Sequence, residues 1–243
     1  MGRIKTSVSR LLFVISLAFA AACQDRLFDN PFDPAGGEVV FEVIATIYTP
    51  AFAPRGLTWD GTAIWNVDGA NDNLYALNPA NGALIRALRS PLPSTTDLAY
   101  DGIDLWVCGE ADVNVYRIGI FNGDIQKRLN LQRGSFTALE YALGSLWLAD
   151  AQSNKVLRVN PETADIQGSF PNPGTRVSGL AFDGARFWIS DARTLSIYQV
   201  DLDGRVLRKY LSTGQSPQGL AFDGRFLWNA DGGQKLFLLR FQK

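Results

Sequence analysis

Beyond residue 23 the apolar positions never settle into the 3.6-residue spacing of an amphipathic helix. They come in short runs such as Leu74-Tyr75-Ala76-Leu77, Val156-Leu157-Arg158-Val159 and Phe187-Trp188-Ile189. Turn residues punctuate them: Asn81-Gly82, Asn122-Gly123, Asn160-Pro161 and Asp203-Gly204. Short apolar runs bounded by Gly, Pro, Asn or Asp read as strands, so the pattern predicts an all-β chain.

The runs repeat. Gly56-Leu57-Thr58-Trp59-Asp60-Gly61 returns as Asp97-Leu98-Ala99-Tyr100-Asp101-Gly102, Ala138-Leu139-Glu140-Tyr141, Gly179-Leu180-Ala181-Phe182-Asp183-Gly184 and Gly219-Leu220-Ala221-Phe222-Asp223-Gly224. The leucines stand 41, 41, 41 and 40 residues apart, and Trp65, Trp106, Trp147, Trp188 and Trp228 keep the same intervals. A strand-rich period of this length matches one four-stranded propeller blade. Strand A is the Gly-Leu-Ala-Phe segment, closed by an Asp-Gly hairpin signal. Strand B carries the Trp, strand C follows, and strand D comes after the next turn, as in Ala83–Ser90 and Arg205–Leu211.

The fifth repeat ends at Lys243, directly after its strand C, Leu236-Phe237-Leu238-Leu239. Val39–Thr49 reads as a strand ahead of the first strand A, and Pro50 follows it as Pro91 follows a strand D. The N-terminal strand is therefore expected to complete blade five and close the ring, which buries two otherwise bare blade faces. Residues 39–243 number 205, five times 41. The expected domain is a five-bladed β-propeller over 39–243.

The first 22 residues read as a lipoprotein signal peptide. Arg3, Lys5 and Arg10 precede the apolar run Leu11–Ala22, which is too short to span a bilayer as a helix. Ala20-Ala21-Ala22-Cys23 resembles a bacterial lipobox, which implies cleavage before Cys23 and acylation of its thiol, palmitate included. Residues 23–38 hold two prolines, two glycines and several acids, the composition of a tether. These features place the chain at the cell envelope, anchored to a bacterial membrane on the periplasmic or surface side.

Composition narrows the chemistry. Losing three basic and no acidic residues with the signal would take the formal net charge from −1 to −4, so nothing points to nucleic acid. Histidine is absent, which removes the commonest general base and zinc ligand. With Cys23 acylated, Cys108 has no partner, and its apolar run Leu105-Trp106-Val107-Cys108 reads as a buried inert thiol. No cofactor and no metal site is expected: Asp68-Gly69-Ala70-Asn71-Asp72-Asn73 is oxygen-rich but lacks calcium-loop spacing.

The repeat resembles those of NHL-type and YVTN-type propellers. It is also similar to the five-bladed glutamine cyclotransferases, in which Gln-Gly-Leu opens a strand A, as Gln218-Gly219-Leu220 does here. Streptogramin-lyase propellers have a related repeat, but their chemistry uses a histidine. The resemblance implies the architecture and carries over no catalytic residue.

Candidate site residues are those that break the repeat on inner strands. Arg55 precedes Gly56 where other blades have Thr96, Thr137, Ser178 and Gln218. Asp97 replaces Gly, and Glu140 replaces Thr or Ala. Arg55, Asp97 and Glu140 are thus candidate ligand-binding residues at one channel mouth, and Gln218, singled out by its Gln-Gly-Leu tripeptide, is a fourth. Alternatively, Arg55 simply pairs with Asp97 or Glu140. The five Trp residues read as core, and Asp68, Asp150, Asp191 and Asp231, each three residues after a Trp, as acceptors for turn N–H groups. Basic residues on strand D, such as Arg86, Lys127 and Lys209, read as protection against edge pairing. The leading functional reading is a non-catalytic scaffold that binds a protein or small molecule. The alternative is a propeller enzyme of cyclotransferase or lactonase type, with Asp97 or Glu140 as its acid or base.

Overall fold

The computed structural model describes residues 40–241, which form twenty strands and no helix. Strand β1 (Glu42–Tyr48) lies apart in sequence from the sheet it joins. Blade 1 then runs through β2 (Pro54–Trp59), β3 (Ile64–Asp68), β4 (Asn73–Leu77) and β5 (Leu84–Arg89). Blade 2 is β6 (Thr95–Tyr100), β7 (Leu105–Gly109), β8 (Asp112–Ile118) and β9 (Ile125–Asn130). Blade 3 is β10 (Phe136–Ala142), β11 (Ser145–Asp150), β12 (Lys155–Val159) and β13 (Ile166–Pro171). Blade 4 is β14 (Val177–Phe182), β15 (Phe187–Asp191), β16 (Ser196–Val200) and β17 (Val206–Leu211). Blade 5 has β18 (Leu220–Phe222), β19 (Leu227–Asp231) and β20 (Lys235–Arg240), and β1 is its outer strand. Each sheet is antiparallel, and the five form a propeller, as the 41-residue period predicts.

Closure by the N-terminal strand is observed. β1 pairs antiparallel with β20 from Glu42↔Arg240 to Tyr48↔Lys235. Just before it, Phe41 is buried and stacks on Tyr210 of blade 4 at 4.6 Å between centroids, so the closing segment also seals the seam to the neighbouring blade.

Each strand-B tryptophan, Trp65, Trp106, Trp147, Trp188 and Trp228, sits between blades, at most 5% exposed. Its indole N–H is not orphaned by that burial. Trp65, Trp106, Trp188 and Trp228 donate to Asp60, Asp101, Asp183 and Asp223, five residues earlier, at 2.7–3.0 Å. The other carboxylate oxygen of Asp60 accepts the Thr62 and Ala63 N–H groups of the A–B turn, where Gly61 has φ +96°. One Asp thus fixes a turn and a core ring together. Blade 3 lacks the Asp, and the Ala142 carbonyl takes the Trp147 N–H instead.

The inner strands approach one another backbone to backbone. A Cβ on Gly219 would lie 2.4 Å from the Arg55 carbonyl oxygen, and one on Gly179 would lie 2.6 Å from that of Gln218. This is why strand A so often opens with Gly. A different hydrogen bond closes each seam. Tyr100 N–H donates to Thr58 Oγ1 between blades 1 and 2, and Leu139 N–H to Asp97 Oδ2 between 2 and 3. Phe182 N–H donates to Glu140 Oε2 between 3 and 4, and Ser178 Oγ to the Pro217 carbonyl between 4 and 5. Gly219 N–H donates to the Arg55 carbonyl between 5 and 1.

Candidate functional site at the channel mouth

Strand A starts at one end of the channel, and the residue ahead of its Gly-Leu unit occupies the same place in every blade. Arg55, Thr96, Thr137, Ser178 and Gln218 all line one open cavity of about 370 Å³. Because each blade contributes the equivalent residue, the cavity lies on the ring axis. Glu110, Arg176 and Ser216 add polar groups, while Phe52, Ala53 and Val177 add an apolar side.

The loops around this mouth are held by the repeated Asp at the end of strand B. Asp68 accepts the Ala53 and Ala70 N–H groups, and Asp150 those of Ser135, Gln152 and Ser153. Asp191 accepts from Thr175, Arg176, Arg193 and Thr194, and Asp231 from Gln215 and Ser216. At Asp191 burial opposes ionisation, but the Arg176, Thr194 and Thr175 N–H groups outweigh it and hold the carboxyl below its usual range. These carboxylates are loop anchors, the role expected from their repetition. Blade 2 has Gly109 in place of the Asp, and Asp72 of blade 1 takes the Thr95 N–H at 3.1 Å. Glu110 is left exposed in the mouth with no anchoring bond among the described residues.

The four candidates divide. Arg55 and Gln218 line the mouth; Asp97 and Glu140 do not. Asp97 is fully buried in the inner ring, where Leu98 and Leu139 donate to separate oxygens. Burial pushes its carboxyl well above the ordinary range against those N–H donors, with Glu140 adding to the rise. Glu140 accepts from Tyr141 on one oxygen and Phe182 on the other, and burial, outweighing both donors, raises it to about 8. The expected ion pair is not formed: the ion pairs among the described residues include neither Arg55 nor Asp97 nor Glu140. Arg55 instead lays its guanidinium over Gly69, where a Cβ would come within 2.2 Å of Nε. Arg176 was not legible as a site residue, because D–A loops carry no repeated motif that makes a departure visible.

Cys108 is a free, buried thiol. Burial raises it far above its ordinary value, with Asp97 adding to the rise, so it is held as an inert thiol. Cys23 lies outside the described residues.

The ring and its polar mouth define the chain as a five-bladed β-propeller. A scan of protein-family models and a search of curated proteins return no match. Among solved structures, the glutaminyl cyclase of Myxococcus xanthus is similar at TM-score 0.74 and 14% identity, over 85% of this chain and 99% of that one. Virginiamycin B lyase from Staphylococcus aureus is similar at TM-score 0.51 and 19% identity, over 79% and 68%. A streptogramin B lyase is similar at TM-score 0.53 and 13% identity, over 83% and 98%. At these identities the likeness is one of fold.

Proposed function

We propose that the protein is an envelope-anchored propeller whose channel mouth binds a small polar ligand. One observation carries this. The position ahead of the Gly-Leu unit is Arg, Thr, Thr, Ser and Gln around the ring, so five polar residues line one cavity. Concave sites with a few convergent polar groups beside apolar walls are the usual form of ligand pockets. The lipobox-like segment ending at Cys23 supports anchoring by a lipid on that residue. The test is a ligand-detected magnetic resonance screen of small polar metabolites against the native protein and Thr137→Trp, which fills the mouth. Binders lost in the variant, with its melt unchanged, support the reading; binders retained there contradict it.

The neighbours named as glutaminyl cyclase and streptogramin B lyase favour a second, catalytic reading of the same mouth. In that case the acid or base is Glu110, the carboxylate that lines the cavity, because Asp97 and Glu140 have their oxygens engaged in the ring seams. Turnover of a mouth ligand that survives Glu110→Gln would remove Glu110 from that role.

A further inference from the structure

We propose that the mouth ligand is a small organic monocarboxylate, gripped through its anionic end by Arg55 and Arg176. This rests on the mouth being a ligand site and adds what that site selects. Both arginines line the cavity, one from blade 1 and one from the loop entering blade 4. Neither has an ion-pair partner among the described residues. Arg55 is also placed: its stem and Nε lie against Gly69, which leaves room that any Cβ would take. An unpaired guanidinium in a concave site is a fork of donors shaped for a carboxylate.

The charge count sets the class of anion. The charged residues lining the cavity are Arg55, Arg176 and Glu110, which sum to +1. One net positive charge matches a singly charged ligand, and Glu110 repels a second negative group. Phe52 at the rim is 78% exposed, and with Ala53 and Val177 it offers an apolar wall for the rest of the molecule. Gln218, whose amide nitrogen donates to Ser216 Oγ at 2.9 Å, keeps its amide oxygen for a ligand donor.

The probes are benzoate, its neutral counterpart benzamide, and inorganic phosphate, titrated at millimolar concentration and read by calorimetry and saturation-transfer resonance. Benzoate binds, and benzamide and phosphate each bind at least about ten-fold more weakly, the loss expected for one charged hydrogen bond. Arg55→Gln and Arg176→Gln each weaken benzoate about ten-fold with unchanged melts, and Glu110→Gln tightens it. Gly69→Ala, which displaces Arg55 without removing it, weakens benzoate as well. Equal binding of benzoate and benzamide, tighter binding of phosphate, no benzoate binding at all, or indifference to both arginine variants overturns the assignment. The two readings fail separately. Benzamide that binds as well as benzoate and is lost in Thr137→Trp keeps the mouth as a ligand site and removes the carboxylate selection. Benzoate that still binds Thr137→Trp sits elsewhere, and both readings fall.

Discussion

Asp97 and Glu140 illustrate how a residue can depart from its repeat for a structural reason. Each offers acceptors to backbone N–H groups on its own strand and on the inner strand of the next blade, 42 positions along. Their departure was visible in the sequence. Their role was not, because the partner is a backbone N–H that carries no sequence signature. Both carboxyls are raised by burial, so the folded ring holds protons that the unfolded chain releases near pH 4–4.5. Stability contributed by Glu140 is therefore full below about pH 4.5 and is lost as pH rises toward its folded value of about 8. Within that window the slope contributed by Glu140 is up to about 1.4 kcal/mol per pH unit. Urea melts from pH 5 to 8 should show the native protein weakening with pH, and Glu140→Gln should flatten that slope in part, Asp97 supplying the remainder. A variant with the native slope would remove Glu140 as its source.

Among the elements, the strands and their order were legible because period, Trp register and Asp-Gly turns agree with one another. The closing strand was legible as well, since a ring of blades leaves one vacancy that Val39–Thr49 fits. Less legible was the depth at which that segment is tied in. Phe41 reaches past its own blade to stack on Tyr210 and lies 6.0 Å from Trp188. Phe41→Ala should cost about 3–5 kcal/mol, as large-to-small changes at buried aromatics do. In a domain of this size that lowers Tm by roughly 10 °C. Deleting residues 39–49 removes the whole outer strand of blade 5 and should abolish the single cooperative transition. A deletion variant melting as the native protein does would contradict closure by β1.

For the whole molecule, the sequence pointed to one channel mouth, and the structure puts two of the four candidates, Arg55 and Gln218, in a cavity there. Arg55 was visible as a departure among equivalent positions, and Gln218 through the tripeptide Gln218-Gly219-Leu220. Arg176, Ser216 and Phe52 come from loops, where no repeat makes them stand out. Anchoring belongs to this scale too. Cys23→Ser should move the protein from the membrane fraction to the soluble fraction or leave its leader uncut, and unchanged fractionation would refute the lipid anchor. The central claim is that this propeller works through the mouth of its channel. The most direct measurement is an amide-resolved resonance titration of the isotope-labelled domain with the binders from the metabolite screen. The account predicts shift changes concentrated at residues 54–56, 95–97, 136–138, 177–179 and 217–219, one cluster per blade. Shifts confined to the outer strands, with these five clusters unmoved, would contradict it.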